Sequence, residues 1–129
     1  MAINAADYTL VFRQLSVAAE NPEADAAVRT LFAEPFAYDS WAVKWRQRMA
    51  EEGTDNKERA AAMRAVNPLF IPRNHRVEQA ISAAESGDFA PFETLLTVLA
   101  RPFDDQPQFA QYADAPLPEE IVRQTFCGT

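Results

Sequence analysis

The chain has 129 residues, of which 48% are hydrophobic and 24% charged, a composition typical of a globular domain rather than a disordered chain. Its formal net charge of −7 disfavours binding to nucleic-acid phosphates or to anionic lipid. No apolar run approaches the roughly 20 residues of a membrane-spanning helix, and the N-terminus lacks the basic and apolar regions of a signal peptide. We therefore expect a cytoplasmic protein that binds neither nucleic acid nor membrane.

Three scarce residue types exclude further classes of site. The three glycines, Gly53, Gly87 and Gly128, are too few for a glycine-rich phosphate loop or a β fold rich in hairpins. The single cysteine, Cys127, and the single histidine, His75, cannot form a disulfide within the chain or a zinc site built from several Cys and His ligands. We expect no cofactor and no metal in this chain.

Proline and Asn-Pro pairs divide the sequence into short helical blocks. The first block has apolar residues at helical spacing over residues 8–19, with Asp7 as its N-cap. Asn21 is the expected cap of the second helix, Pro22 is its first residue, and the helix is predicted to end near Pro35. These signals predict two helices joined by a tight turn.

The later helices have equally local start and stop signals. They are predicted over residues 40–52, 55–66, 74–86 and 91–101. Gly53 and Gly87 suit the left-handed position after a helix, and Pro102 stops the last helix. Asp55 opens an Asp-x-x-Glu capping box, and Asn74 is the expected N-cap of the fifth helix.

The C-terminal part is different in character. Residues 103–129 are proline-containing and have no helical period, apart from a short turn predicted at residues 119–123. No segment alternates apolar and polar residues over the length of a strand. The sequence therefore predicts an all-α fold, a compact bundle of about six short helices with an irregular proline-containing C-terminal tail, in a single domain over residues 1–129.

The segment Pro72-Arg73-Asn74-His75-Arg76 holds the main candidate site. Two arginines and a histidine around a helix N-terminus can hold an anion, because the helix dipole and free N–H groups favour negative charge there. The alternative is a structural turn, in which Asn74 caps the helix and Arg73 ties two helices together. His75 has a carboxylate three residues later, but a metal site would need a third ligand that the sequence does not indicate.

Other candidate residues lie elsewhere in the chain. Trp41 and Trp45 are spaced to lie on one helix face, where they favour a core or interface anchor, with ligand stacking as the alternative. Asp104 and Asp105 follow a helix end and are interpreted as a solvated loop pair rather than an acid–base or magnesium site. Cys127 is expected to be exposed near the C-terminus, as a redox candidate or an inert thiol.

Several sequence blocks occur in an order shared with a known family. They are Asp7-Tyr8-Thr9, Phe12-Arg13-Gln14-Leu15, residues 41–48, Met63-Arg64-x-x-Asn67-Pro68, Pro72-Arg73-Asn74, Ala80-Ile81-x-x-Ala84-x-x-Gly87-Asp88, Leu95-Leu96-x-x-Leu99-x-x-Pro102-Phe103-Asp104 and Cys127-Gly128-Thr129. Together they resemble the C-terminal region of the SelO, or YdiU, family. Its members resemble protein kinases (pseudokinases) and transfer AMP from ATP to Ser, Thr or Tyr hydroxyls of other proteins.

The resemblance implies a region without its own catalytic residues. Whole members are several times longer, and their kinase-like core lies N-terminal to these motifs. The chain has neither the nucleotide loop nor the Lys and Asp/Asn metal pair of that core. The resemblance therefore implies ATP and magnesium, and protein substrates, only for the intact protein. It also makes Cys127 a redox candidate, because some members carry selenocysteine there; Gly128-Thr129 replace the family's usual Ser-Ser.

Two functional hypotheses follow. The first is a non-catalytic C-terminal helical domain of a SelO-like protein adenylyltransferase, whose partner is the kinase-like core. The alternative is a free-standing helical protein-binding or regulatory module. In the first case an apolar surface is expected to stay uncovered, around Trp41, Trp45 or residues 69–71. Trp41, Trp45, Arg73, Asn74 and His75 are then expected to be structural or to contact another domain.

Overall fold

The computed structural model describes residues 6–124 of the chain. The described part contains α1 Tyr8–Glu20, α2 Asp25–Arg29, α3 Pro35–Glu52, α4 Asn56–Val66, α5 Asn74–Glu85 and α6 Ala90–Leu99. Three short 3₁₀ helices, at Pro22–Ala24, Pro107–Tyr112 and Pro118–Glu120, complete the helical structure. Residues 6–124 contain no strand, so the predicted all-α fold is confirmed. No helix in this range combines the length and apolar character needed to cross a membrane.

Most predicted helix boundaries in the first half are confirmed by their caps. The side chains of Asp7, Asn21 and Asp55 each accept a hydrogen bond from a backbone N–H in the following turn. Gly53 adopts a left-handed conformation with φ 65° at the end of α3, which a residue with a side chain rarely adopts. Local cap chemistry therefore determined these ends.

Two boundaries in this half are wrong in the sequence prediction. The second helix is predicted to end near Pro35 but ends at Arg29. The third is predicted to start at residue 40, but Pro35 is the first residue of the 18-residue helix α3. Proline lacks the N–H that would be unpaired at this position anyway, and its fixed φ suits the first helical turn. The same residue can therefore end one helix or begin another, and local sequence does not distinguish the two.

The chain divides into two compact units, Met1–Pro68 and Leu69–Thr129. The first contains α1 to α4, and the second contains α5, α6 and the two later 3₁₀ helices. The single domain over residues 1–129 stays a prediction.

The core of the first unit is built on α1. Val11, Leu15 and Ala18, spaced along one face of that helix, are almost fully buried. They pack in one cluster with Val28 of α2 and Tyr38 of α3. A second cluster consists of Ala19, Met49 and Ala60, from α1, α3 and α4.

A carboxylate at the start of α2 organises polar groups beside this core. Asp25 accepts a hydrogen bond from the Tyr38 hydroxyl at 2.5 Å. Its Oδ2 also accepts hydrogen bonds from Nε and Nη2 of Arg46, at 3.1 and 2.7 Å. Burial, and then the hydrogen bond to Asp25, raise the pKa of Tyr38 above its ordinary value. One side chain of α2 is thus bound to two side chains of α3.

The second unit has a smaller core, in which Phe70, Val98 and Ala113 are buried together. The Phe70 N–H donates to the carbonyl of Pro102 at 3.1 Å, and the buried Gln106 amide donates to the carbonyl of Val98 at 3.0 Å. Phe70 is only 1% exposed, so the expectation of an uncovered surface at residues 69–71 is wrong. Leu69 and Ile71 on either side of Phe70 are partly buried, and the N–H groups of Leu69 and Phe70 both donate to the carbonyl of Pro102.

Candidate functional site

The candidate site begins where the chain enters α5. Pro72 disfavours helical conformation at the residue before it, and Arg73 remains extended at φ −64° and ψ 132°. The carbonyl of Arg73 then accepts hydrogen bonds from the N–H groups of Arg76 and Val77, at 2.9 and 3.0 Å, which starts the helix. The N-cap position therefore belongs to Arg73.

The predicted role of Asn74 as the N-cap is wrong. Asn74 is the first residue of α5, it is exposed, and no side-chain cap hydrogen bond is made at this helix start. Asparagine is a favourable cap by residue type, but the cap position is the last residue with extended backbone. That residue is Arg73, one position earlier.

Two clefts in the second unit meet at His75 and Glu120. One, of about 280 Å³, is lined by the start of α5 together with Pro116, Ile121 and Val122. The other, of about 380 Å³, lies beside Glu78, Gln79 and Ser82 of α5. His75, Glu120 and Val122 line both, and His75 and Glu120 are the titratable groups among these three.

His75 is a buried side chain with a lowered pKa. It is 3% exposed, and its Nε2 has no hydrogen-bond partner among the described residues. Burial lowers its pKa, and the nearby charge of Arg76 lowers it further. Lowering from an ordinary value of 6.5 keeps the imidazole uncharged at pH 7, so it adds no positive charge for an anion.

The carboxylate of Glu120 is bound on both oxygens. It accepts hydrogen bonds from the backbone N–H of Leu117 at 2.9 Å and from Nε2 of Gln79 at 3.2 Å. The backbone hydrogen bond is the main cause that lowers the pKa of Glu120. The signal available in the sequence was Leu-Pro-Glu-Glu, with Pro118 at the first position of a helical turn and a carboxylate two residues later.

Arg76 ties α5 to the segment that follows α6. Its Nη2 donates to the carbonyl of Gln111 at 2.7 Å, its Nη1 donates to Oε1 of Gln79 at 3.0 Å, and its guanidinium lies over the Tyr112 ring at 5.5 Å. Arg73 is also buried, at 6% exposed. These cations are involved in packing, while the carboxylate of Glu120 lines both clefts and repels an anion. The geometry therefore favours the structural interpretation of this segment.

The described residues do not assemble a metal site. No group of three or more His, Cys, Asp and Glu side chains that could hold a metal ion lies within residues 6–124. Asp104 is exposed and lies 3.8 Å from Nη1 of Arg101, and Asp105 is exposed as well. Neither carboxylate belongs to a cluster with the chemistry of a hydrolytic or magnesium site.

In the first unit, Trp41 and Trp45 stack on each other, with ring centroids 5.3 Å apart. Trp41 also contacts Tyr38, and the Arg46 guanidinium lies over the Trp45 ring at 5.4 Å. Trp45 is partly buried and packs against both core clusters, whereas Trp41 is 44% exposed. The pair thus extends from the core to the surface, which favours an anchor over a ligand cradle.

Cys127 lies outside the described residues, so its exposure and its redox role stay predictions. The domain-contact roles of Arg73, Asn74, His75, Trp41 and Trp45 also stay predictions.

Comparison with known proteins identifies the relatives of this chain. The family model described as protein adenylyltransferase SelO matches residues 1–100. This chain is also similar to three proteins named protein nucleotidyltransferase YdiU. The identity is 57% for the protein of Nitrobacter winogradskyi, 59% for that of Bradyrhizobium sp. BTAi1 and 61% for that of Rhodopseudomonas palustris BisB18. Each match covers 100% of this chain but 26% of the relative. The chain thus spans about a quarter of the length of these relatives.

Proposed function

Because the chain belongs to the SelO family, we propose that it is the C-terminal helical region of a protein adenylyltransferase and is not catalytic by itself. In the intact protein, AMP is transferred from ATP to hydroxyl groups of other proteins. The observation that carries the proposal is the coverage: the whole chain matches relatives named as nucleotidyltransferases, yet it accounts for 26% of their length.

Residues 6–124 do not fit an ATP or magnesium site. Gly53 and Gly87 both follow helix ends with positive φ, 65° and 90°, and neither belongs to a loop that could cradle phosphates. Residues 6–124 provide no strand to carry a phosphate-binding lysine and no carboxylate cluster for a metal. We expect the catalytic groups in the rest of the family chain.

The proposed role is to stabilise and shape a face of the intact enzyme. Two hydrogen bonds that join α5 to later segments support this role. Arg76 of α5 donates to the carbonyl of Gln111, and Gln79 of α5 donates to the carboxylate of Glu120. The partly exposed tryptophan stack in the first unit suits an anchor to another part of the protein. Both features depend on packing rather than on chemistry with a small molecule.

A transfer assay tests the absence of catalysis. The 129-residue chain is incubated with ATP labelled on its α-phosphate, magnesium and a generic protein acceptor. We expect no label on the acceptor above the level given by heat-treated chain. The full-length relative from Nitrobacter winogradskyi serves as the positive control. Acceptor labelling by the native chain alone would contradict the proposal.

A further inference from the structure

The α5–α6 groove is an apolar surface of the second unit. We define it by Val77, Ile81 and Ala84 of α5 and by Phe92, Leu96 and Leu99 of α6. These residues recur at helical spacing along the two helices, and both apolar stripes line the same groove. The groove encloses about 310 Å³, and every residue that lines it is apolar.

The groove is only partly covered within residues 6–124. Ile81, Phe92 and Leu96 are 44%, 48% and 55% exposed, although each lies on a stripe that a helix normally buries. Scattered exposed apolar residues are normal, but a continuous groove of them marks an interaction surface. The hydrophobic effect therefore favours an occupant.

We propose that this groove seats an apolar segment from the rest of the family chain, an inference that rests on the proposed function. In the relatives, this region is covalently joined to a further chain that makes up about three-quarters of their length. A tethered segment acts at an effective concentration on the order of millimolar, so a modest apolar contact is enough to keep it bound.

The charges on the helix pair define the chemistry of the occupant. Exposed Glu85, Asp88 and Glu93 lie on α5, on α6 or in the turn between them. The same stretch has one basic residue, Arg76, which is bound to the carbonyl of Gln111. An apolar segment flanked by lysine or arginine complements this surface. A second copy of the chain, which carries the same acidic residues and a net charge of −7, would be repelled.

Thiol labelling tests whether the groove is covered in the intact protein. Leu96→Cys and Thr97→Cys are each made in a Cys127→Ser background; Thr97 is exposed and does not line the groove. Each is prepared in the 129-residue chain and in a chimera in which this chain replaces the matching quarter of the Nitrobacter winogradskyi protein. Labelled peptides are identified by mass spectrometry.

We expect Leu96→Cys to label about tenfold or more slowly in the chimera than in the chain, because labelling then requires local opening. Thr97→Cys is expected to label at the same rate in both. Equal rates for Leu96→Cys would overturn the proposal. Slow labelling in the chain alone, relieved by dilution, would assign the groove to a second copy and overturn it as well.

A second labelling measurement tests the same proposal without the chimera. The residues aligned with Leu96 and Thr97 are replaced by cysteine in the full-length Nitrobacter winogradskyi protein, and the labelling ratio of the two sites is compared with the ratio in the 129-residue chain. The ratio is the labelling rate at the position of Leu96 divided by the rate at the position of Thr97. A smaller value of this ratio in the full-length protein supports the proposal, and an unchanged value overturns it. These experiments measure packing, so their failure is distinguishable from AMP transfer by the chain alone, which would contradict the proposed function.

Discussion

The two compact units of this chain bury their apolar helix stripes to different degrees. In the first, Val11, Leu15 and Ala18 of α1 are covered because they pack in one cluster with residues of α2 and α3. In the second, Ile81 and Leu96 remain about half exposed, because α5 and α6 line a groove that is open to solvent. These two sets of apolar residues, both at helical spacing, are thus covered to different degrees.

The units also differ in the hydrogen bonding of two buried polar side chains, Arg13 and His75. In the first, Arg13 is 5% exposed and donates to the carbonyls of Arg64 and Asn67, at the end of α4, at 3.4 and 3.2 Å. A cation at a helix C-terminus satisfies carbonyls that have no partner in the helix. In the second, the buried His75 leaves Nε2 without a hydrogen bond among the described residues. The polar interior of the first unit is therefore better satisfied at these positions.

The largest expected change in the free energy of unfolding distinguishes a residue in the core of the second unit from a residue in its groove. Phe70→Ala is expected to lower the free energy of unfolding by about 3–5 kcal/mol, because it removes a fully buried aromatic side chain and leaves a cavity. Leu96→Ala, at a half-exposed position, is expected to change it by about 0.5 kcal/mol or less. Denaturant unfolding of both variants measures the difference. Equal losses would mean that the groove is buried in the chain.

The next prediction breaks the polar network of the first unit. Asp25→Ala is expected to cost about 1–3 kcal/mol, because it leaves the Tyr38 hydroxyl and the Arg46 guanidinium without their carboxylate partner. Asp39→Ala is the matched control, since it removes an exposed ion pair with Arg29 that solvent screens, so a smaller loss is expected. Thermal unfolding ranks the two variants. A smaller loss for Asp25→Ala than for the control would contradict a structural role for this network.

A smaller effect distinguishes a true cap from an apparent one. Asp7→Ala is expected to cost about 0.5–2 kcal/mol, because its Oδ1 accepts from the Leu10 N–H at 2.9 Å. Asn74→Ala is expected to cost about 0.5 kcal/mol or less, because Asn74 is exposed and the start of α5 has no side-chain cap. Melting temperatures of the two variants measure the contrast. A loss at Asn74 equal to that at Asp7 would restore its capping role.

The smallest effect is a pH dependence that arises from His75. Because its pKa is lower in the folded state, the unfolded chain binds more protons as the pH falls below about 6.5. The stability present above pH 6.5 is therefore expected to decrease as the pH falls toward the folded pKa. His75→Gln is expected to flatten this part of the profile. Since the chain has one histidine, its NMR titration measures the pKa directly, and a value above 6.5 would contradict the prediction.

The helices were predictable because their signals are local. Apolar residues recur every three or four positions, and Asp7, Asn21, Asp55 and Gly53 are of residue types that suit their cap positions. Pro35 was mispredicted for a local reason too, because proline suits both the end of one helix and the start of the next. Local rules therefore predicted the existence of each helix more accurately than they predicted its first residue.

The candidate site was only half predictable. The sequence identified the segment around Arg73 and His75, since its charges and prolines are adjacent in the chain. It missed Glu120, whose partner Gln79 is 41 residues away. A charged residue in a short proline-bounded turn has the same local pattern whether it is solvated or bound to another segment. Only the folded chain distinguishes the two.

By itself the sequence determined the helical class, most helix ends and the family resemblance, because helical periodicity and cap chemistry act over a few residues. The tertiary structure decided which apolar stripes are buried and which polar groups find partners. Phe70 became a core residue and Leu96 stayed exposed, although both are apolar residues in apolar segments. Burial depends on what lies across the fold from a residue, and a linear pattern does not contain that information.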